Sequence, residues 1–488
     1  MTQKVQTGIH NGIPTYSLDG EGPCLGTLHF GVGMRDEPAA LAGITHLVEH
    51  LLLRSIRPMT VLHGAATDTD SVEFWARGEP ADVGEFLNTI ADAVLGFPGV
   101  SDEDIVLEKA IIEAEDPNKF RAVSSGLMCN RFGTTDLGAA HFGVPATLSL
   151  TRPELLAWAG QWLVADNAAL TFSGRIPGSL EVRLPSGRVP ERTVAAPLVT
   201  EPTLIVSTKD GVALSLLVPA VDAPLLAEAL RYELHRRLGH DRGLIYWAVD
   251  FQTTVDEDNT QLDLILDPTS SNIIAAFDSG VAALREVARD GFSEEALACA
   301  RKARIAGLEY GRSVPDWHLD QLAVDGLRGR STPTLEAAVQ HLESLTAKGL
   351  TASLVGSMDS LMVAVAGFAK PRRKHAAAHG LAFDRSRIWQ NTETAESNGH
   401  RTWRTKGSED TLWLSPDRVL KRSGNKTKAI ALADVALVGD RSCGCVCLID
   451  LRGRSTEVDV SEWKRSKELR RALLGAFPAE IVRAFPAD

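Results

Sequence analysis

The chain has 488 residues, 44% hydrophobic and 23% charged, with a formal net charge of −12. That length leaves room for two to four domains with sizeable cores, and the acidic balance excludes a general nucleic-acid binder, whose phosphate affinity needs clustered Lys and Arg. No secretory signal opens Met1–Glu21, no apolar run reaches the length of a membrane span, and six cysteines in so long a chain do not suggest a disulfide scaffold, so a cytoplasmic protein is expected.

From Thr7 to Arg35 the chain alternates and turns. Asn11-Gly12 is a hairpin signal and Gly26 to Val32 reads as a strand. Gly43 to Leu53 follows, without proline and with Ile44, Leu47, Val48 and Leu51 at the 3,4-spacing of a buried helical stripe. On that helix His46 and His50 are one turn apart and Glu49 lies beside them, so all three project from neighbouring positions. Two imidazoles so spaced can share one Zn²⁺, a carboxylate from elsewhere can complete an open three-ligand site, and Glu49 is placed to serve as general base towards a water.

Next come a strand at Ser71–Ala76, a helix from Asp82 to Leu95, and a longer helix from Asp102 to about Arg131 that begins with an acidic turn after Ser101. Glu108 and Glu115 are two turns apart and share a face of it, and Glu115 is the expected third ligand. A helix at Arg152–Trp162 and a strand at Ala168–Ser173 return the chain to the first sheet, giving an α+β layer.

Phe30-Gly31-Val32-Gly33-Met34-Arg35-Asp36-Glu37, the H-x-x-E-H pentapeptide within Gly43 to His50, and Glu108 with Glu115 at a seven-residue spacing together resemble the M16, or pitrilysin/insulinase-like, zinc metallopeptidases of the short M16B-like type. The resemblance implies one Zn²⁺ per chain on His46, His50 and Glu115, catalysis by Glu49 with Glu108 as a supporting acid, and two homologous sheet-plus-helix halves closing as a clamshell. The interval between His50 and Glu115 is shorter than is usual in the family, by chain missing between Arg54 and Val61, and this implies a more open rim. An extended peptide substrate would add as a strand near Gly64, Ala65 and Ala66, where the family's asparagine–alanine pair is absent. His63 beside them reads as an ordinary loop histidine.

After a proline-rich connector, Leu184–Pro202, the element order repeats. Strands fall at Leu204–Ser207, Val212–Val218, Ile245–Thr253 and Thr260–Leu266, and helices at Ala223–Leu238, Ser271–Asp290, Ser293–Tyr310, Trp317–Leu327 and Leu335–Ala347, with Leu350–Val355 closing the layer. Arg242-Gly243-Leu244-Ile245-Tyr246 matches the family's Gly-Leu-x-Tyr, which implies Tyr246 as a donor to the oxygen of the scissile carbonyl. The arginine expected seven residues earlier is replaced by Gly239, leaving Arg242, Arg237 and Arg236 as alternatives, or a homologous partner subunit supplying it in trans.

Lys370 to His375 is basic and Ser386–Asp410 polar, which reads as a linker. Thr411–Asp488 is β-rich and closes on an amphipathic helix, Glu462–Phe477, an order that resembles a pleckstrin-homology-like (PH-like) domain. The alternate cysteines Cys443, Cys445 and Cys447 are expected to line one sheet face as small apolar residues.

The sequence thus points to an M16-like domain over 1–183 with the zinc site, a second over 203–368, a linker over 369–410 and a PH-like domain over 411–488. The expected function is zinc-dependent endopeptidase action on peptides or unstructured precursor segments. The competing reading is a non-catalytic or partner-dependent subunit that binds a peptide, a homologous chain or a second copy of itself.

Overall fold

Asn11 and Gly12 both take positive φ (49° and 84°), the backbone a tight hairpin between right-twisting strands demands, and they join β1 (Gln6–His10) to β2 (Ile13–Leu18). The computed structural model describes residues 5–20, 22–56, 59–115, 125–192, 194–207, 210–310, 314–385, 387–392 and 401–485. The first half continues through β3 (Cys24–Phe30), α1 (Ile44–Arg54), β4 (Leu62–Thr67), β5 (Val72–Gly78), α2 (Pro80–Gly96), α3 (Asp102–Glu115), α4 (Ser125–Phe132), α5 (Leu137–Ala140), α6 (Arg152–Trp162) and β6 (Ala168–Ser173). The helix expected from Asp102 to Arg131 is thus seen as α3 and α4, with residues 116–124 outside the described ones.

The first sheet has the order β1-β2-β6-β3-β5-β4, with β2 and β6 parallel and its other neighbours antiparallel. Alternation along β3 decides which face is buried against what. Leu28 and Phe30 enter a core with Leu47, Val48 and Leu51 of α1 and Phe86 and Ile90 of α2.

The second half runs β7 (Thr203–Ser207), β8 (Val212–Pro219), α7 (Ala223–Leu234) with a π-helical extension at His235–His240, β9 (Ile245–Thr254), β10 (Asn259–Pro268), α8 (Ile273–Asp290), α9 (Glu294–Tyr310), α10 (Val314–Leu327), α11 (Leu335–Ser344), α12 (Ala347–Ser357), β11 (Met362–Ala366), α13 (Arg373–Ala378) and β12 (Ala382–Asp384). Its sheet order, β12-β7-β11-β8-β10-β9, repeats the first from β7 to β9, with β9 at the edge where β4 stands, while β12 takes the place of β1 from the other end of the half and runs parallel to β7. Leu350–Val355 does not close this layer as a strand: it lies in α12, and Met362–Ala366 is the closing strand. A short apolar run carries no period long enough to separate a buried strand from a buried helix turn.

The halves exchange helices. Leu127 of α4 packs with Ile205, Ala213, Met362 and Ala364 of the second sheet, and α10 lies on β2, β6 and β3 of the first. The polar pairs under these helices correspond. His29 stands opposite Glu73 in the β3–β5 register and meets Asp320 of α10 at 3.2 Å. Ser215 stands opposite Asp263 in the β8–β10 register, and Arg131 of α4 donates to its Oγ at 3.1 Å.

The remainder forms two small sheets around one helix. β13 (Gln390–Thr392), β14 (Arg401–Arg404), β15 (Thr411–Leu414), β16 (Arg418–Ser423) and β17 (Lys426–Ala431) make a sheet in the order β13-β17-β16-β15-β14. β18 (Val435–Arg441), β19 (Val446–Asp450), β20 (Ser455–Val458) and β21 (Val482–Phe485) make another, β20-β19-β18-β21. α14 (Ser466–Leu474) inserts Leu469 and Leu473 into their shared core beside Trp403 and Trp463.

Three expectations are corrected here. The polar stretch 369–410 is not only a linker, since β12 pairs with β7 of the second half and β13 and β14 belong to the third unit. These are short edge strands: β12 and β13 carry no fully buried residue, and β14 carries a single one, Trp403. The chain does not close on its helix, because β21 follows and runs parallel to β18. Cys443 and Cys445 sit at the β18–β19 turn, exposed and half-buried, and only Cys447 joins the core; Gly444, with φ 92°, makes that turn.

This unit packs on both halves. Leu437, Cys447, Ile449 and Phe485 meet Ala39, Ala40 and Ala42 just ahead of α1, and Arg452 pairs with Asp384 at 3.0 Å.

Candidate metal centre

α1 starts from an unusual cap. Gly43 takes φ 93°, and a Cβ there would stand 2.4 Å from Thr147 Oγ1, so the position excludes a side chain. The first amides of the helix are taken by a carboxylate from upstream: Gly43 N and Thr45 N donate to Glu37 at 2.7 and 2.9 Å. Carboxyl oxygens at a helix N-terminus answer its unpaired N–H groups. Burial pushes the Glu37 carboxyl up to about 7, opposed by these two hydrogen bonds.

One turn into the helix, His46 Nε2 and His50 Nε2 face each other at 3.1 Å, and Glu115, the last residue of α3, brings Oε2 and Oε1 to 3.7 Å from them. Among the described residues this is the group whose donor atoms converge as metal ligands do, all within 4.8 Å of one another. Two imidazole nitrogens bound tetrahedrally to one Zn²⁺ stand about 3.3 Å apart, so the donor set and its spacing fit that ion. Burial, then the neighbouring His50, pushes the His46 pKa down to about 4, which leaves its ring neutral with a lone pair to give.

His50 is oriented from behind. Its Nδ1 lies 3.1 Å from Glu108 Oε2, and Arg54 holds the other Glu108 oxygen at 3.0 Å while bonding Asp104 at 2.6 Å. A carboxylate on Nδ1 selects the tautomer that frees Nε2 for a metal. Glu108 therefore stands behind a ligand rather than in the open site.

Glu49 is 5% exposed. Thr67, at the end of β4, donates its hydroxyl to Glu49 Oε2 at 2.6 Å. Burial raises the Glu49 carboxyl above its usual range, against the opposing pull of Thr67 and His50.

Gly64, Ala65 and Ala66 lie on β4, the sheet's edge strand, which pairs with β5 on one side. His63 Nδ1 lies 2.8 Å from Val61 O, and its ring is against Phe86. In the second half, Tyr246 projects from edge strand β9 and is 84% exposed. Arg242 donates to Ser279, Arg236 to Glu233, and Arg237 to Glu233 and Glu286, so each alternative arginine is engaged within its own half.

Thr67, Glu37 and Arg54 were not singled out in the sequence as site residues. Glu37 lies in the glycine-containing stretch that carries the family resemblance, and Arg54 is one turn beyond His50. Thr67 has no local signal, because it reaches Glu49 only through the folding of β4 along α1.

The two repeated sheet-plus-helix halves give the chain the α+β fold of M16 peptidases, with a His-His-Glu donor set on the first half and a β-rich C-terminal region beyond the second. The chain matches no protein-family profile. It is 23% identical over 374 residues to an uncharacterised zinc protease of Mycobacterium tuberculosis, covering 66% of this chain and 83% of that one. Among solved structures it is similar to a protease from Helicobacter pylori, with 15% identity and a TM-score of 0.62 over 75% of this chain and 99% of that one. It is also similar to an inactive M16 peptidase domain from Pseudomonas fluorescens, with 15% identity and a TM-score of 0.59 over 74% and 98%. Among the described residues no helix is long and apolar enough to cross a membrane.

Proposed function

We propose that the chain is a zinc-dependent endopeptidase acting on peptides or unstructured precursor segments. The observation that carries this is the convergence of His46, His50 and Glu115 with Glu49 on the same helix face. A Zn²⁺ held by those three residues would supply Lewis-acid polarisation of the scissile carbonyl and an acidified water. Glu49 takes the proton of the attacking water and returns it to the leaving amine, its Oε2 held by Thr67. Glu108 keeps His50 in the required tautomer. Gly64, Ala65 and Ala66 offer the free side of β4 to an extended peptide, which adds there as a further strand. Tyr246 and Arg242 of the second half are the proposed contacts to the substrate carbonyl. Action in the cytoplasm fits cysteines that form no disulfide among the described residues.

The test is hydrolysis of fluorescently labelled, unfolded casein by the purified chain. Cleavage that stops on chelation and returns with zinc supports the reading, and cleavage that survives complete metal removal contradicts it.

One observation favours a second reading, a partner-dependent subunit: Gly239 occupies the position where the resemblance places an arginine, and Arg236, Arg237 and Arg242 are each bonded elsewhere. The solved relative from P. fluorescens is itself an inactive M16 domain. A zinc-loaded chain that cleaves only when a homologous chain is added would support this reading.

A further inference from the structure

Edge strand β4 does more in this structure than present a free side. Thr67 is its last residue, registered opposite Val72 of β5, and its hydroxyl is the hydrogen-bond donor to Glu49 Oε2. The turn that follows is fixed from several directions. Asp68 O accepts from Met34 N at 2.9 Å, Thr69 O from Arg35 N at 3.2 Å, and Asp68 N donates to Ser71 O at 2.8 Å. Asp70 is clamped by Arg35 of the first half at 2.9 Å and by Arg330, just beyond α10 of the second, at 2.8 Å. Arg328 donates to the Asp70 carbonyl at 2.7 Å. Thr67 is thus held on a platform to which both halves contribute, and a group so held fixes what it bonds.

We propose that Thr67 is the positioning residue of the general base: its hydroxyl fixes the Glu49 carboxylate in the rotamer that leaves Oε1 for the attacking water, and so couples the peptide-binding strand to the chemistry. This rests on the peptidase reading above. A free carboxylate beside two imidazoles can rotate towards either of them, and a short hydrogen bond from a fixed strand removes that freedom. The second half, which contributes no ligand to the His-His-Glu group, reaches the base by this route, through Arg328 and Arg330 on the β4–β5 turn.

Thr67→Val removes the hydroxyl and keeps the shape; Thr67→Ser keeps the hydroxyl. On labelled unfolded casein, Thr67→Val is expected to lower kcat about 10–100-fold, the range for loss of a supporting hydrogen bond, while KM stays within about twofold. Thr67→Ser recovers most of the lost rate, and zinc content and Tm stay at the wild-type values in both. An unchanged kcat in Thr67→Val, or equal losses in the two variants, overturns the proposal.

Cobalt(II) in place of zinc supplies a readout without turnover. The visible spectrum of cobalt-loaded Thr67→Val is expected to move as that of Glu49→Gln does, and that of Thr67→Ser to match the wild type. Should the wild-type chain cleave nothing, the peptidase reading fails while this spectrum still decides on Thr67: a shared displacement supports the positioning role and an unmoved Thr67→Val spectrum overturns it. A chain that binds no cobalt overturns both.

Discussion

Glu108 Oε2 lies 3.1 Å from His50 Nδ1, on the side of the ring away from His46. The acid therefore touches the His-His-Glu group only through a histidine, and Arg54 and Asp104 extend the chain of contacts outward.

That placement separates Glu108 from Glu115. Glu108→Ala should weaken zinc binding about 10–100-fold, the usual effect of losing a carboxylate behind a ligating histidine, and Glu115→Ala should weaken it further because a ligand itself is lost. Competition with a chromogenic chelator measures both, and equal affinities in wild type and Glu108→Ala would contradict the assignment.

Gly43 ties the cap to the fold. Gly43→Ala forces a side chain into a left-handed backbone against Thr147 and should cost about 1–3 kcal/mol. Urea unfolding gives the number. A loss smaller than the ordinary Gly-to-Ala variation would show that the helix start relaxes.

Glu37 makes stability depend on pH with a definite sign. Its pKa is raised in the folded state to about 7 from the ordinary glutamate value of 4.5, so between those values the folded chain keeps a proton the unfolded chain has lost. The contribution is complete below the unfolded value and disappears as pH rises through about 7. Asp263, pushed by burial up to about 6, acts in the same direction over a lower window. The Tm of the wild type should therefore fall relative to that of Glu37→Gln from pH 5 to pH 7; a difference between the two that stays constant over that range would place the pH dependence elsewhere.

Arg131 is a fully buried guanidinium that crosses from α4 into the second half, bonded to Ser215 and to Ser360 O at 2.9 Å. Burial pulls its pKa down to about 10, opposed by Asp263. Arg131→Ala should cost about 1–3 kcal/mol by leaving Ser215 and the Ser360 carbonyl buried without their donor. Arg131→Met combined with Asp263→Asn should restore much of the loss. Urea unfolding of Arg131→Met, Asp263→Asn and the double variant tests the pair, and additive losses would refute coupling between Arg131 and Asp263.

The legible parts of the sequence were those with local periodicity. The helix carrying His46, Glu49 and His50, the two-turn spacing of Glu108 and Glu115, and the Asn11-Gly12 turn each follow from geometry that repeats within a few residues. The repeated order of strands and helices was legible for the same reason. What was not legible depends on distant chain. The exchange of α4 and α10 between the halves pairs Arg131 with Ser215 and His29 with Asp320, and neither pair has a signature along the chain. β12, β13 and β21 are short strands that gain order by pairing with distant elements, and the Leu350–Val355 run fits a helix and a strand equally well. The C-terminal unit shows the same division: its strands alternate visibly, whereas its contact with Ala39, Ala40 and Ala42 ahead of α1 is purely tertiary.

The most direct test of the central claim is zinc content and casein hydrolysis measured on the same preparations of wild type and Glu49→Gln. The account predicts one zinc per chain in both and cleavage only in the wild type. Cleavage by Glu49→Gln at the wild-type rate, or a wild-type chain that takes up no zinc, would contradict it.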